Sequence, residues 1–180
     1  MAFWRDSSVE PKRQFRWTFM LGTGIEGATI QTYFVKTVKK PSFAVNAVQH
    51  QFVQHTFYYP GRLTWNPVDI TFVDPVDPDT STILANIVAD SGYAIPADPT
   101  IALKSLNKKD FTQNVGTPTI TQIDADGEQI EQWTLHNSFV TSIDFGDLDY
   151  AADELVVVSM QLQYDFATLT SKFTPSKLQP

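Results

Sequence analysis

The chain has 180 residues, no cysteine, and 13 basic against 20 acidic side chains, for a net charge of -7. That length can bury one sizeable core without metals, and the absent thiols exclude a disulfide framework and thiolate metal sites, which suits a reducing cytoplasm. The negative charge repels polyanions within a Debye length of ~8 Å, which argues against a nucleic-acid-binding face; no window approaches the ~18 apolar residues of a membrane span.

Residues 1–13 show weak periodicity and no apolar leader core, and read as an N-terminal arm. Phe15, Trp17, Phe19 and Leu21 alternate with Arg16, Thr18 and Met20, which predicts a strand with one face in the core. A glycine-rich bend from Gly22 to Gly27 leads to a second strand, Tyr33 to Val38, closed by Pro41, and extended structure restarts over Ser42 to Val48. Between Leu63 and Phe72 the apolar set runs Leu63, Trp65, then Val68, Ile70, Phe72. This slip of one residue predicts a β-bulge at Pro67.

Asp77-Pro78-Asp79 predicts a helix start, with Asp77 as N-cap and proline at the first helical position. Ile83, Leu84, Ile87 and Val88 then form one apolar stripe, so a helix is expected over about 77–91, stopped by Gly92, with Asp79, Asn86 and Asp90 toward solvent. Residues 94–116, carrying Pro96, Pro99 and the Lys104, Lys108, Lys109 cluster, read as a long surface excursion. Thr119 to Ile123 and Glu131 to His136 pair as a hairpin through Asp126-Gly127. The last strand places Val156, Val158, Met160, Leu162, Tyr164 and Phe166 on one side and Ser159, Gln161, Gln163 and Asp165 on the other. Residues 168–180 read as a C-terminal arm. The fold class is mainly β, an antiparallel β-sandwich or partly closed barrel with one flanking α-helix, forming a single domain over 1–180.

Chemical motifs are weak. Gly22-Thr23-Gly24-Ile25-Glu26-Gly27 matches the dinucleotide fingerprint, but strand-forming residues follow where the phosphate-binding helix should begin, so a hairpin loop is the plainer reading. His50 and His55 are spaced for neither a strand face nor a helical metal pair, and His136 has no partner in sequence. Asp124 to Glu128 lacks the remaining ligands of a calcium loop. The run Asp144, Asp147, Asp149, Asp153, Glu154 offers paired carboxylates of the kind glycoside hydrolysis uses, yet it sits in a turn-rich connection. No catalytic, cofactor-binding or metal-binding residue is assigned, and the expected chain is not an enzyme. Phe52, Phe57, Tyr58 and Tyr59, set among Gln49, His50, Gln51, Gln54 and His55, read either as core or as an intersubunit surface.

Lys39-Lys40-Pro41-Ser42-Phe43, the stretch Phe57-Tyr58-Tyr59-Pro60-Gly61-Arg62, the Asp-Pro-rich lead into the helix, Asp124-Ala125-Asp126-Gly127 and Phe145-Gly146-Asp147-Leu148-Asp149-Tyr150 occur in the order found in one family. In these the chain resembles the tail tube proteins of contractile-tailed bacteriophages, which are related in fold to type VI secretion tubes. The resemblance spans about Phe15 to Phe166. It implies a structural virion protein that forms hexameric rings, stacked into the hollow inner tail tube through which DNA passes during ejection. The implied partners are further copies of the chain, the tail sheath protein, a tape-measure protein in the lumen, and baseplate and tail-terminator proteins; DNA passes without specific binding and no cofactor is involved. The implied location is the virion, after assembly in the host cytoplasm.

By the same resemblance Phe52, Phe57, Tyr58, Tyr59 and Arg62 are expected to stack rings, and Tyr58→Glu is a test of that. Gln132, Thr134, His136, Gln161, Gln163 and Asp165 are expected to line the lumen, and Asp79, Asn86 and Asp90 to face the sheath. Three rivals remain at this stage: the tube subunit of a non-viral contractile injection system or a baseplate tube-initiator; a monomeric ligand-binding module using Trp65 or Trp133 as platforms; and a hydrolase dependent on Asp147.

Overall fold

The computed structural model describes residues 10–22, 32–93, 95, 105–173 and 177–178. Two four-stranded antiparallel sheets carry the fold. The first is ordered β1 (Trp17–Met20), β6 (Thr119–Ile123), β7 (Gln129–His136), β10 (Phe166–Ser171). The second is ordered β2 (Val35–Val38), β5 (Val68–Val73), β9 (Val157–Gln163), β8 (Phe139–Asp144). A separate hairpin joins β3 (Ser42–Phe52) to β4 (His55–Asn66).

Period-2 alternation decides which face of each sheet is buried. Phe19, Ile120, Leu135 and Ala167 of the first sheet meet Val68, Ile70, Phe72, Val158, Met160 and Leu162 of the second in one core. The Phe19 and Phe72 rings meet edge to face across it, with centroids 6.3 Å apart. Each of these side chains larger than alanine contributes about 1.5–3 kcal/mol by leaving water. The architecture is an antiparallel sandwich, and among the described residues its sheets do not close into a barrel.

The helix expected over 77–91 is α1 (Thr80–Asp90), and its N-cap is Asp79 in place of Asp77. The Asp79 carboxylate accepts from the Thr82 backbone N–H at 2.9 Å, so it serves a free amide of the first turn. Leu84 and Ile87 are buried, with Ile83 and Val88 packed beside them, as the stripe requires. A second helix, α2 (Lys108–Val115), lies within the segment expected to be an irregular excursion. Asn107 caps it, and only Phe111 and Val115 turn inward, one turn apart, which is too short a stripe to register as periodicity. Both helices insert into the same core at the β8 side, where the Phe111 and Phe139 centroids lie 6.5 Å apart. Lys104 lies outside the described residues.

Several boundaries also differ from expectation, the second strand among them, since it starts at Val35 after a 3-10 turn over Thr32–Phe34 and not at Tyr33. At Pro67 there is a strand break and not a bulge: β4 ends at Asn66 paired with β3, and β5 starts at Val68 paired with β2 and β9. Proline suits the residue where the chain changes partners, since no ladder amide is needed there. The predicted last strand is two strands. The chain crosses from the second sheet to the first around Tyr164-Asp165, so Phe166 opens β10 and is exposed. Consequently Thr168–Ser171 of the expected C-terminal arm is sheet, and Leu169 N–H donates to Leu178 O at 3.0 Å. Phe15 precedes β1 and is exposed. Of the N-terminal arm, residues 10–13 carry no regular structure and the rest lies outside the described residues.

Candidate assembly surfaces

The β3–β4 hairpin stands uncovered: every residue from Phe43 to Thr64 is exposed. Its strands are 11 and 12 residues long, which spans roughly 35–40 Å at the rise of an extended chain. β-branched and aromatic residues favour the extended form, but no other strand joins the pair among the described residues. Residues opposite one another in an antiparallel pair share a face. The pairs Val48↔Tyr59, His50↔Phe57 and Phe52↔His55 therefore build one aromatic face. The pairs Ala47↔Pro60, Gln49↔Tyr58 and Gln51↔Thr56 build the other. The expected stacking set thus divides: Phe52, Phe57 and Tyr59 stand together with Val48, Tyr58 points the opposite way, and Arg62 lies at the irregularity between Val45 and Ala47. Val48 was missed in the sequence because its partner Tyr59 is 11 positions away and only register joins them.

The hairpin root is fastened to the sandwich. Trp65 packs on Phe43 and Tyr164, with ring centroids 5.2 and 5.8 Å away. Lys40, between β2 and β3, donates to Glu131 Oε1 at 2.8 Å and to Gln122 Oε1 at 2.6 Å, crossing from the second sheet to the first. Glu131 is buried and also receives Lys12 and, at 2.8 Å, Trp133 Nε1. Burial alone would raise its pKa; the hydrogen bonds from Lys12, Lys40 and Trp133, with the Lys40 charge, outweigh that and bring it down to about 2.

The six expected lumen residues do not share a surface. Gln132, Thr134 and His136 lie on the outer face of the first sheet, paired with Thr121, Thr119 and Phe166. Gln161 lies on the outer face of the second, paired with Asp69 and Ser142, and Gln163 follows it on β9. The outer faces of a sandwich point in opposite directions, so both sets cannot line one channel. Asp165 belongs to neither face; it sits in the β9–β10 turn, bound by Lys108 at 2.6 Å and Asn137 at 2.9 Å, and these hydrogen bonds hold its pKa below the usual range.

The sheet edges also differ. The outer edge of β10 receives Leu178, whereas β2 and β8, the edges of the second sheet, carry no further strand among the described residues. A groove of about 1100 Å³ opens beside β2, lined by Trp17, Tyr33, Val35 and Val38 with Lys12 and Lys40 at its rim.

Asp79, Asn86 and Asp90 are exposed on α1, though Asp79 is engaged as the cap and its pKa is lowered by its bonds to Thr82. Trp65 and Trp133 are half-buried against the core, so neither is a free platform for a sugar. His50 and His55 are exposed on the hairpin, and His136 stacks on Phe166 with centroids 4.6 Å apart. No group of three potential metal ligands exists among the described residues. Asp124 accepts from the backbone of Asp126 and Glu128, each at 2.9 Å, which explains that acidic stretch as a turn. Gly22 has a packing reason: a Cβ there would lie 2.4 Å from Thr117 N, and one on Gly116, at φ +67°, would lie 1.3 Å from Gly22 O. The rest of the fingerprint-like loop lies outside the described residues.

No family model and no curated sequence matches this chain. Solved structures do. A chain of the anti-feeding prophage baseplate matches at TM-score 0.66 and 12% identity, covering 92% of this chain and 99% of that one. A chain of the PVC extracellular contractile injection system sheath-tube complex matches at TM-score 0.65 and 14% identity, covering 95% and 99%. The SPP1 tail tube matches at TM-score 0.52 and 10% identity, covering 91% and 81%. The fold is therefore that of the tail tube proteins, shared across almost the whole chain.

Proposed function

We propose that this chain is the subunit of a hollow tail tube, that copies close into six-membered rings, and that the rings stack. The observation that carries the reading is the second sheet: neither of its edge strands, β2 and β8, is paired with a further strand among the described residues, and its strands β2 and β5 run directly into the projecting hairpin. Open edges pair with neighbours. Pairing β2 of one copy with β8 of the next around a ring would close a continuous barrel without exposed edges. The hairpin then supplies the contact along the axis, where a heterologous contact that does not close yields a filament.

In this arrangement the outer face of the second sheet lines the channel, with Gln161 and Gln163 among polar neighbours, and Gln132, Thr134 and His136 face away from it. Gln161, Gln163 and Asp69 on this face give DNA phosphates little to bind, and of the lysines on the same sheet Lys39 is engaged by Asp69 at 3.6 Å, leaving Lys36 of β2 as an exposed cation; a wall with so few free cations fits passage of DNA during ejection. Asp79, Asn86 and Asp90 on α1 are the proposed contacts to a surrounding sheath. A tape-measure protein within, a baseplate below and a terminator above complete the set of partners, in a phage virion assembled in the host cytoplasm.

Negative-stain electron microscopy across a concentration series tests the reading. Six-fold rings or hollow tubes are expected; dispersed monomers at high concentration would reject it. A second reading, the tube or cap of a contractile injection device, draws on the higher TM-scores to such assemblies, 0.66 and 0.65 against 0.52 for the SPP1 tube.

A further inference from the structure

We propose that the aromatic face of the β3–β4 hairpin docks on the loop joining β8 to β9 in a second copy, so that copies meet head to tail along the strands of the second sheet. This names the receiving surface for the stacking contact and rests on the tube reading. The two features occupy opposite ends of one sheet. The hairpin leaves beyond Val38 and returns at Val68, which pairs with Leu162. The loop joins Asp144 to Val157, and Val157 pairs with Val73 at the far end of β5. Six residues of strand, roughly 20 Å, separate them, so one copy's hairpin projects away from its own loop and toward the loop of a copy displaced along the axis.

The loop is built to present apolar side chains. Leu148 is 85% exposed, Leu155 74%, and Tyr150 fully so. It is held by local turns instead of collapsing on the sandwich: Asp144 Oδ1 accepts from Gly146 N–H at 3.0 Å and Asp149 Oδ1 from Ala151 N–H at 2.9 Å. Between residues 145 and 156 it carries Asp147, Asp149, Asp153 and Glu154 and no cationic side chain, whereas the hairpin, 42–66, carries Arg62 and two histidines and no acid. Loop against loop would oppose like charges; hairpin against loop joins apolar surfaces of compatible sign.

The chain's lack of cysteine makes the test direct. Single variants Phe57→Cys and Leu148→Cys are mixed, assembled and treated with a short thiol-specific crosslinker. Covalent dimers are expected from the mixture and not from Leu148→Cys alone. Tubes that form without the mixed crosslink would overturn the proposal and leave the tube reading standing. Dimers from Phe57→Cys alone would also overturn it, by showing hairpins packed back to back. Failure of the parent chain to assemble would reject both. As an independent readout, Leu148→Asp is expected to leave the melting temperature unchanged and to raise the critical concentration at least about tenfold, the lower end of what one buried leucine is worth; an unchanged critical concentration would count against the contact.

Discussion

At the scale of single residues, Glu131 is the carboxylate held most firmly in its charged form among the described residues. Its pKa falls from an ordinary 4.5 to about 2, so its stabilisation is complete above about 4.5 and is lost as pH falls toward 2. Discounted for the half-exposed lysines, that is about 1–2 kcal/mol. Glu131→Gln should therefore lower the melting temperature at pH 7, and its deficit relative to the parent chain should shrink in melts taken at progressively lower pH below 4.5. Asp79 offers a second residue-level check. Because it and not Asp77 caps α1, Asp79→Ala should cost a few degrees in a thermal melt, while Asp77→Ala leaves the melt unchanged.

At the scale of elements, the hairpin is a projection whose stability is borrowed from its root. It places no residue between Phe43 and Thr64 in the core, and its fastening lies at Trp65 and Lys40. Replacing 45–63 by a short turn between the paired Ala44 and Thr64 should leave the melting temperature near that of the full chain and abolish rings stacking into tubes, read by electron microscopy. The register sharpens which side chains count. Phe57→Glu and Tyr59→Glu should each stop stacking while the monomer stays folded, and Tyr58→Glu, on the polar face, should shorten tubes less. Equal loss from all three would show that both hairpin faces are buried in the assembly.

At the scale of the whole molecule, the sandwich has two outer faces, and only one can border a channel. In assembled tubes, Gln161→Cys should be shielded from a bulky polymer-linked maleimide, while Gln132→Cys should react as fast as in the monomer; the reverse pattern would assign the channel to the first sheet. Both positions are half-buried on their own strands, so the comparison reads enclosure by neighbours and not local burial.

The sequence by itself determined the alternating strands, the apolar stripe of α1 and the aromatic, cysteine-free character of the hairpin, because these depend on periods of 2 and 3.6 within a few residues. Its resemblance to tail tube proteins, carried by short motifs such as Phe57–Arg62 and Phe145–Tyr150 in the family's order, also pointed to the tube fold. It did not reveal α2, whose two inward residues make one turn and become a helix only by packing on α1 and β8. Nor could it separate β9 from β10, since the alternation Leu162, Tyr164, Phe166 continues unbroken while the chain changes sheets. The split of the lumen candidates between two outer faces, and of the aromatics between two hairpin faces, was set by pairing register over long separations. Register is a tertiary quantity: which residue lies opposite which is fixed by the sum of contacts across strands, and no local window contains that sum.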